Sequence, residues 1–159
     1  MSLKHHFIHY IVSRRGPDVT IGGQADPYLR RWWLLPRNRF LNVYLHQFLR
    51  SDDDRALHDH PWLFNLSVLL SGEYVEHTIR VGGVAVRTHR KAGDWKLRFG
   101  AAPHRIELLL LSPRYPIPMP CWTLFITGPR VREWGFHCPA AGWIPWKRFT
   151  SSDSTGCDA

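Results

Sequence analysis

Residues 62–80 read WLFNLSVLLSGEYVEHTIR. Two runs rich in aliphatic, β-branched and aromatic residues, 64–70 and 74–80, flank the dipeptide Ser71-Gly72. A glycine between two runs of this length is typical of a tight turn, because glycine tolerates the backbone angles that such turns require. The stretch therefore predicts two strands joined by a turn.

The same alternation of short runs and turn residues extends outward over most of the chain. The other runs predicted as strands are 29–34, 40–48, 84–89, 95–99, 104–111, 122–127, 131–137 and 143–149. Turn signals such as Gly82-Gly83 and Gly128-Pro129 separate them. No window shows a helical apolar period longer than about two turns. The pattern predicts an all-β sandwich or barrel.

The chain length of 159 residues suits a single domain. We expect residues 1–28 to form an N-terminal arm or edge strand and residues 29–149 to form the β-barrel. The last segment, residues 150–159, reads TSSDSTGCDA. Because it is polar and terminal, we predict a disordered tail.

The composition excludes several classes of protein. Hydrophobic residues make up 44% of the chain and charged residues 21%, so it can form a core and is not globally disordered. No apolar run reaches about 18 residues, and we predict neither a membrane span nor a membrane partner. The net charge of +8 comes from scattered basic residues. It favours a small anionic ligand, and we do not expect a nucleic-acid partner.

The three cysteines, Cys121, Cys138 and Cys157, are an odd number without CxxC spacing. This usage is typical of a reducing compartment. The first ten residues, MSLKHHFIHY, have too few apolar side chains for the hydrophobic region of a signal peptide. We therefore predict a cytoplasmic location.

The strongest chemical signal lies in residues 50–62, RSDDDRALHDHPW. In an extended segment, His58 and His60 project from one face and Asp59 projects from the other. Two imidazoles on one face form half of a site for a first-row transition metal. The alternative interpretation is a surface turn at the entry to a strand.

The segment from His58 to His104 resembles the two sequence motifs of the cupin superfamily. The first motif, G-x5-H-x-H-x(3,4)-E-x6-G, aligns with His58 and His60 and ends on Gly72. The second, G-x5-P-x-G-x2-H-x3-N, aligns with Gly93 and His104. The resemblance implies a cupin-type double-stranded β-helix, which is a jelly-roll barrel, with His58, His60 and His104 as ligands of a divalent metal. It also implies a homodimer.

The chain departs from the cupin motifs at the acidic ligand, whose position falls on Phe64 or Asn65. Three neutral imidazoles would leave a divalent ion with its full charge and with open positions, which favours an anionic ligand. Glu76, on the strand after the turn, or the amide of Asn65 could supply a fourth ligand. We expect Fe or Zn first, with Mn, Ni and Cu as alternatives.

Strand alternation yields further candidate residues. Tyr44 and His46 share one face of the run 40–48, which lines a barrel pocket or lies on the outside of an edge strand. Arg130 and Trp134 share a face of the segment that follows Gly128-Pro129, and such side chains can hold an anion or a sugar. We predict His46, Arg130 and Trp134 as substrate-binding residues, and Tyr44 and Tyr74 as catalytic proton donors.

Three functions are compatible with these residues. The first is an Fe(II) dioxygenase that acts on a small anionic substrate at the three histidines. The second is a cupin that binds a sugar or a carboxylate without turnover. The third is a metal-free sugar isomerase or epimerase with a histidine as base and a tyrosine as acid. This last function requires a His–Asp pair, which the sequence does not locate.

Overall fold

The computed structural model describes residues 3–52, 56–151 and 156–157, and within them twelve strands and two helices follow one another. In chain order the elements are α1 (Leu3–Val12), β1 (Val19–Ile21), β2 (Leu29–Trp33), β3 (Asn42–Phe48), β4 (Leu57–His58), β5 (Phe64–Ser71), β6 (Glu73–Ile79), β7 (Ala85–Lys91), β8 (Trp95–Phe99), β9 (His104–Leu108), β10 (Cys121–Thr127), β11 (Gly135–Cys138), β12 (Gly142–Pro145) and α2 (Trp146–Phe149).

The strands form two antiparallel sheets of six strands each. The first sheet has the order β1-β2-β3-β10-β5-β8, and the second has the order β12-β11-β4-β9-β6-β7. A buried cluster joins Leu29, Phe48 and Leu69 of the first sheet to Tyr74 and Ile106 of the second. The two sheets therefore face each other across a shared interior, and the predicted all-β architecture is confirmed.

The turn at Gly72 carries the chain from the first sheet to the second. β5 ends at Ser71 and β6 begins at Glu73, so the predicted turn is confirmed, although the two strands lie in different sheets. Gly72 has a φ of +81°, and a Cβ at this position would lie 2.8 Å from the Cβ of Cys121. Only glycine fits both the backbone angle and the space.

Several of the predicted strands have different bounds in the structure; the run 104–111, for example, ends at Leu108. The run 40–48 becomes a strand only at Asn42, because the side chain of Asn38 accepts hydrogen bonds from the backbone N–H groups of Phe40 and Leu41. The run 131–137 begins at Gly135. The run 143–149 divides into β12 and α2 after Pro145, which lacks the N–H group that a continuing strand would donate.

The helix α1 was not predicted. Its residue Ile8 is buried together with Trp32 and Leu45, and Leu45 alternates with Tyr44 and His46 along β3. The helix therefore covers the outer face of the first sheet, and its weak apolar pattern reflects a contact through little more than one buried residue. Within residues 1–28 the structure has this helix and the edge strand β1. In the described part of the chain no helix has the length and apolarity needed to span a membrane.

A disulfide bond joins Cys138 to Cys157, and Cys121 is a buried free thiol. The spacing of the cysteines gave no sign of this bond, because the partners become neighbours only when the C-terminal segment folds back onto β11. Residues 152–155 and 158–159 of the predicted tail lie outside the described residues. The cytoplasmic location stays a prediction.

Replacing Cys157 by serine should lower the free energy of unfolding of the oxidised protein by about 3 kcal/mol, the value expected for a cross-link that closes a loop of this size. The two cysteines are 19 residues apart. Urea denaturation of both proteins with and without dithiothreitol measures the difference. Reduction should remove it; a difference that persists in reductant would contradict a stabilising disulfide.

Candidate metal centre

Three histidines converge in the interior between the sheets. His58 ends β4 and lies directly opposite His104, the first residue of β9, while His60 follows two residues after His58. The Nε2 atoms of His60 and His104 are 2.8 Å apart, and one ligand atom from each of the three rings lies within 4.8 Å of the others. The structure thus brings together the three residues that the cupin motifs aligned.

Asp59 projects away from the histidines, as the alternation predicts. It is 1% exposed. Its carboxylate accepts hydrogen bonds from the backbone N–H of Gly135 (2.9 Å) and from Nε1 of Trp143 (3.0 Å) and pairs with Arg132 at 2.9 Å. Because these partners hold the central residue of the His-Asp-His segment, they determine the direction of the two imidazoles.

Gly100 fixes the backbone on the other side of this segment. Its carbonyl oxygen accepts a hydrogen bond of 2.9 Å from the N–H of His60. A Cβ at residue 100 would lie 2.1 Å from the carbonyl oxygen of Trp62 and 2.8 Å from that of His60. These distances leave no room for a side chain, so the loop before His104 and the segment after His58 pack backbone against backbone.

The variant Gly100→Ala should therefore displace His60 and lower the free energy of unfolding by about 2–4 kcal/mol, as expected for overpacking against rigid backbone atoms. Thermal and urea denaturation measure the loss. Gly82→Ala is the matched control for a glycine with open space around it, although its positive φ of 86° will cost about 1 kcal/mol. Equal losses in the two variants would contradict the packing argument.

A carboxylate lies behind each of two histidines of the cluster. Oε1 of Glu76 is 3.6 Å from Nδ1 of His104, and Oδ2 of Asp52 is 3.8 Å from Nδ1 of His58. Asp52 is itself held by the hydroxyl of Tyr28 and by the N–H of Ile106. A carboxylate at Nδ1 favours the tautomer whose proton is on Nδ1, and this leaves the Nε2 lone pair free for a ligand bond.

Glu76 was predicted as a candidate fourth ligand, and the structure places it behind His104 instead. Its side chain is fully buried, and its oxygens pair with Arg98 and, at 2.9 Å, with Arg90. The second candidate, Asn65, is fully buried in β5 and its amide atoms have no hydrogen-bond partner among the described residues. Glu76 is not one of the three residues whose ligand atoms form the cluster.

Burial favours the neutral form of two imidazoles of the centre, those of His60 and His104. The pKa of His60 and the pKa of His104 are both well below the usual value, chiefly because burial disfavours the charged ring. The neighbouring histidines and the guanidinium of Arg98 lower both pKa values further. A neutral imidazole is the form that binds a metal ion, so the rings are ready for coordination without losing a proton.

The histidines line a cavity of about 500 Å³. Its walls include the aromatic side chains of Phe48, Trp62, Tyr74, Phe125, Trp134 and Phe136. Three arginines, Arg31, Arg50 and Arg98, also line it, whereas Asp52 is the single acid among the described lining residues. The volume suits a small organic ligand, and the balance of charge suits an anion.

The other predicted site residues divide between this cavity and a neighbouring pocket. His46, Tyr74 and Trp134 line the cavity. Tyr44 and Arg130 line the pocket next to it. The predicted strand face that joined Arg130 to Trp134 does not form, because the N–H groups of residues 131 and 132 both donate to the carbonyl of Pro61 instead of to a neighbouring strand.

The sequence interpretation missed Asp52 and Arg98. Asp52 belongs to a run of three aspartates, residues 52–54, to which the sequence interpretation assigned no role. Arg98 lies in β8, where Trp95, Leu97 and Phe99 are exposed and the arginine between them is 4% exposed. The strand therefore exposes its apolar side chains and buries one of its two basic residues, and the alternation of apolar and basic residues was the available signal.

This fold, together with the histidine centre, defines the class of protein: a cupin-type double-stranded β-helix, with three histidines inside the barrel that could bind a metal. Solved structures confirm the fold. A conserved protein of Klebsiella pneumoniae with a double-stranded β-helix domain aligns with a TM-score of 0.50 and 18% identity, over 76% of this chain and 89% of that one.

Two further solved structures with this fold are an iron-bound protein and a decarboxylase. Fe(II)-bound HppE in complex with its substrate aligns with a TM-score of 0.53 and 13% identity, over 72% of this chain and 57% of that one. A variant of the oxalate decarboxylase OxdC of Bacillus subtilis aligns with a TM-score of 0.51 and 16% identity, over 75% of this chain and 30% of that one. At these identities the likeness establishes the fold alone.

The sequence itself finds no match: no protein-family model fits the chain, and no curated protein is similar to it.

Proposed function

We propose that this protein is a metal-dependent dioxygenase that binds Fe(II) through His58, His60 and His104 and oxidises a small anionic substrate. The observation that carries the proposal is the convergence of three imidazoles on a cavity with an excess of arginines. The likeness to Fe(II)-bound HppE supports the choice of metal but does not extend to its substrate.

The donor set fits a divalent ion. Metal–nitrogen bonds of about 2.0–2.1 Å place neighbouring nitrogens of a tetrahedral site roughly 3.4 Å apart, and the three ligand atoms here lie within 4.8 Å of one another. Nδ1 of His104 is buried without a hydrogen bond but lies 3.6 Å from the carboxylate of Glu76. This carboxylate–imidazole arrangement is the one that orients metal-binding histidines.

A bound Fe(II) would supply the electrons for reaction with O₂ and open positions for substrate. The chain's own residues bind and orient the anion. Arg98 uses one nitrogen for Glu76, while its Nε and Nη1 have no partner among the described residues and can donate to a carboxylate or phosphonate. Phe125 and Trp62 pack against His60 with ring centroids 5.9 and 5.3 Å away, and they exclude water from that side of the centre.

An oxygen electrode tests this function. Protein loaded with Fe(II) under anaerobic conditions is mixed with aerated buffer that contains one small carboxylate, phosphonate or thiol-carboxylate at a time. We expect oxygen uptake with a matching amount of product for at least one compound. Zinc-loaded protein and the His60→Ala variant should show no uptake. The surface variant His89→Ala should show full uptake. Uptake that persists in His60→Ala would overturn the proposal. A compound that binds without uptake would support the non-catalytic binding protein.

A second candidate, the metal-free sugar isomerase or epimerase, is favoured by one observation. The carboxylate–histidine pair that this function needs is present twice, at Asp52–His58 and Glu76–His104. Tyr74 lines the same cavity, and burial together with the charge of Glu76 raises its pKa to about 12, so the hydroxyl stays protonated as an acid. Isomerase activity that survives a chelator and is lost in Tyr74→Phe would support this candidate over the dioxygenase.

A further inference from the structure

A second pocket of about 290 Å³ lies beside the histidine cavity and shares Arg31, Pro61 and Trp62 with it. Four of its lining residues are arginines, and we call it the arginine pocket: Arg31, Arg37, Arg39 and Arg130. Its other walls are formed by Trp33, Asn38, Asn42, Tyr44 and Trp62, with Val19 and Gly128. Among the described residues that line it there is no acid.

The four guanidinium groups lack a carboxylate counterion in the part of the chain that the structure describes. Arg15, Arg90, Arg98 and Arg132 each pair with a carboxylate. None of the four in the arginine pocket has a carboxylate within 4.0 Å in residues 3–52, 56–151 and 156–157. The Nε of Arg31 donates instead to Nε2 of His46 at 2.8 Å. Like charges held together without an acid favour an anion in the space between them.

The loop that carries Arg37 and Arg39 is ordered before any ligand arrives. Oδ1 of Asn38 accepts from the N–H groups of Phe40 and Leu41, and its Nδ2 donates to the carbonyl of Leu41 at 2.7 Å. The side chain of Asn42 bonds both the N–H and the carbonyl of Asn38, at 3.0 and 2.7 Å. A loop that is already fixed loses little conformational entropy on binding. Its arginines are therefore in position to bind a ligand.

Aromatic rings hold two of the four guanidinium groups, those of Arg31 and Arg37. The Arg31 guanidinium lies 5.0 Å from the ring centre of Tyr44, and that of Arg37 lies 5.3 Å from the ring centre of Trp33. The backbone of Arg130 forms a β-bridge with Trp62. Guanidinium groups held in this way bind oxyanions with two parallel N–H donors each.

We propose that the arginine pocket binds the phosphate group of a phosphorylated small molecule. Four guanidinium groups exceed what one carboxylate can neutralise, whereas a phosphomonoester dianion or a diphosphate offers three or more acceptor oxygens and two or more negative charges. The aromatic rings of Trp33, Tyr44 and Trp62 line the same space and give the organic part of the ligand an apolar contact. The site does not use the three histidines, so it stands apart from the proposed metal chemistry.

Titration calorimetry with inorganic phosphate and with pyrophosphate, at low and high salt, tests the site on the full chain. We expect saturable binding that is tighter for pyrophosphate, and we expect Arg37→Gln and Arg130→Gln each to weaken it by about 10-fold or more, the usual effect of losing one charged hydrogen-bond donor. The matched control, Arg80→Gln, removes the same charge from the exposed β6–β7 hairpin and should change the affinity by less than about twofold. Circular dichroism confirms that all three variants fold.

Three results would overturn the proposal. The first is no saturable binding up to about 10 mM pyrophosphate, and the second is equal weakening in Arg80→Gln, which would indicate only the net charge. The third is binding that survives in Arg37→Gln and Arg130→Gln but is lost in His60→Ala, which would place the anion on a metal. Binding that is retained in His60→Ala supports the arginine pocket even if the dioxygenase proposal fails.

Discussion

The His104→Ala protein should purify with less than about a tenth of the metal that the wild-type protein binds. Loss of a residue that merely orients a ligand costs about 10–100-fold in metal affinity, and loss of a ligand costs more. His104 contributes one of the three ligand atoms, and its Nε2 lies 2.8 Å from that of His60. Elemental analysis of protein prepared without chelator or metal-affinity resin measures the content, and the identity of the metal is read in the same experiment.

The same loss is expected for His58→Ala and His60→Ala, since three imidazoles form the cluster. His89→Ala is the matched control, because His89 is a half-exposed histidine on β7 that pairs with Glu73. It should keep its metal. Metal retained in His104→Ala, or lost to the same degree in His89→Ala, would show that the ion binds elsewhere, for example at the histidines of α1.

The second large effect concerns the buried carboxylate behind His104. Glu76→Gln should lower the free energy of unfolding by about 3–5 kcal/mol, because it leaves the charges of Arg98 and Arg90 inside the protein without a counterion. Glu76 is 0% exposed and Arg98 is 4% exposed. Urea denaturation followed by tryptophan fluorescence measures the loss.

Two variants separate this effect from general loss of an acid. Glu107→Gln removes a carboxylate that is paired with His77 and Arg105 but is 37% exposed, and it should cost about 0–1 kcal/mol. Glu76→Gln combined with Arg98→Met should be more stable than Glu76→Gln alone, because the second change removes the orphaned charge. A loss in Glu76→Gln as small as that in Glu107→Gln would contradict the buried ion pair.

Most of the strands could be predicted from local pattern. In β10 buried and partly buried residues alternate without a break, and the predicted run 122–127 differs from the strand by one residue. β4 could not be found this way, since it has only two residues, Leu57 and His58. It forms a strand because β11 and β9 lie on either side of it. Pairing partners far away in the chain determine such an element, and the local pattern of apolar residues does not indicate them.

The histidines of the centre could be predicted from the sequence, because spacing and motif order place His58, His60 and His104 together. The residues around them could not be predicted in this way. Asp52 and His58 are close in the chain, but Glu76, Arg98 and His104 come from β6, β8 and β9 and meet only inside the barrel. For Glu76 the sequence offered a ligand or a solvated residue, and its full burial beside two arginines excludes the solvated residue.

The local sequence determines the strands, the turn at Gly72 and the identity of the three imidazoles. It does so because the alternation of side chains, the backbone freedom of glycine and the residue type act over a few neighbouring residues. The cavity, the carboxylates behind His58 and His104, the pairing of Cys138 with Cys157 and the convergence of four arginines arise from contacts between distant segments. Those contacts exist only after the two sheets close on each other, since a side chain's burial and charge environment depend on residues that the local sequence does not contain.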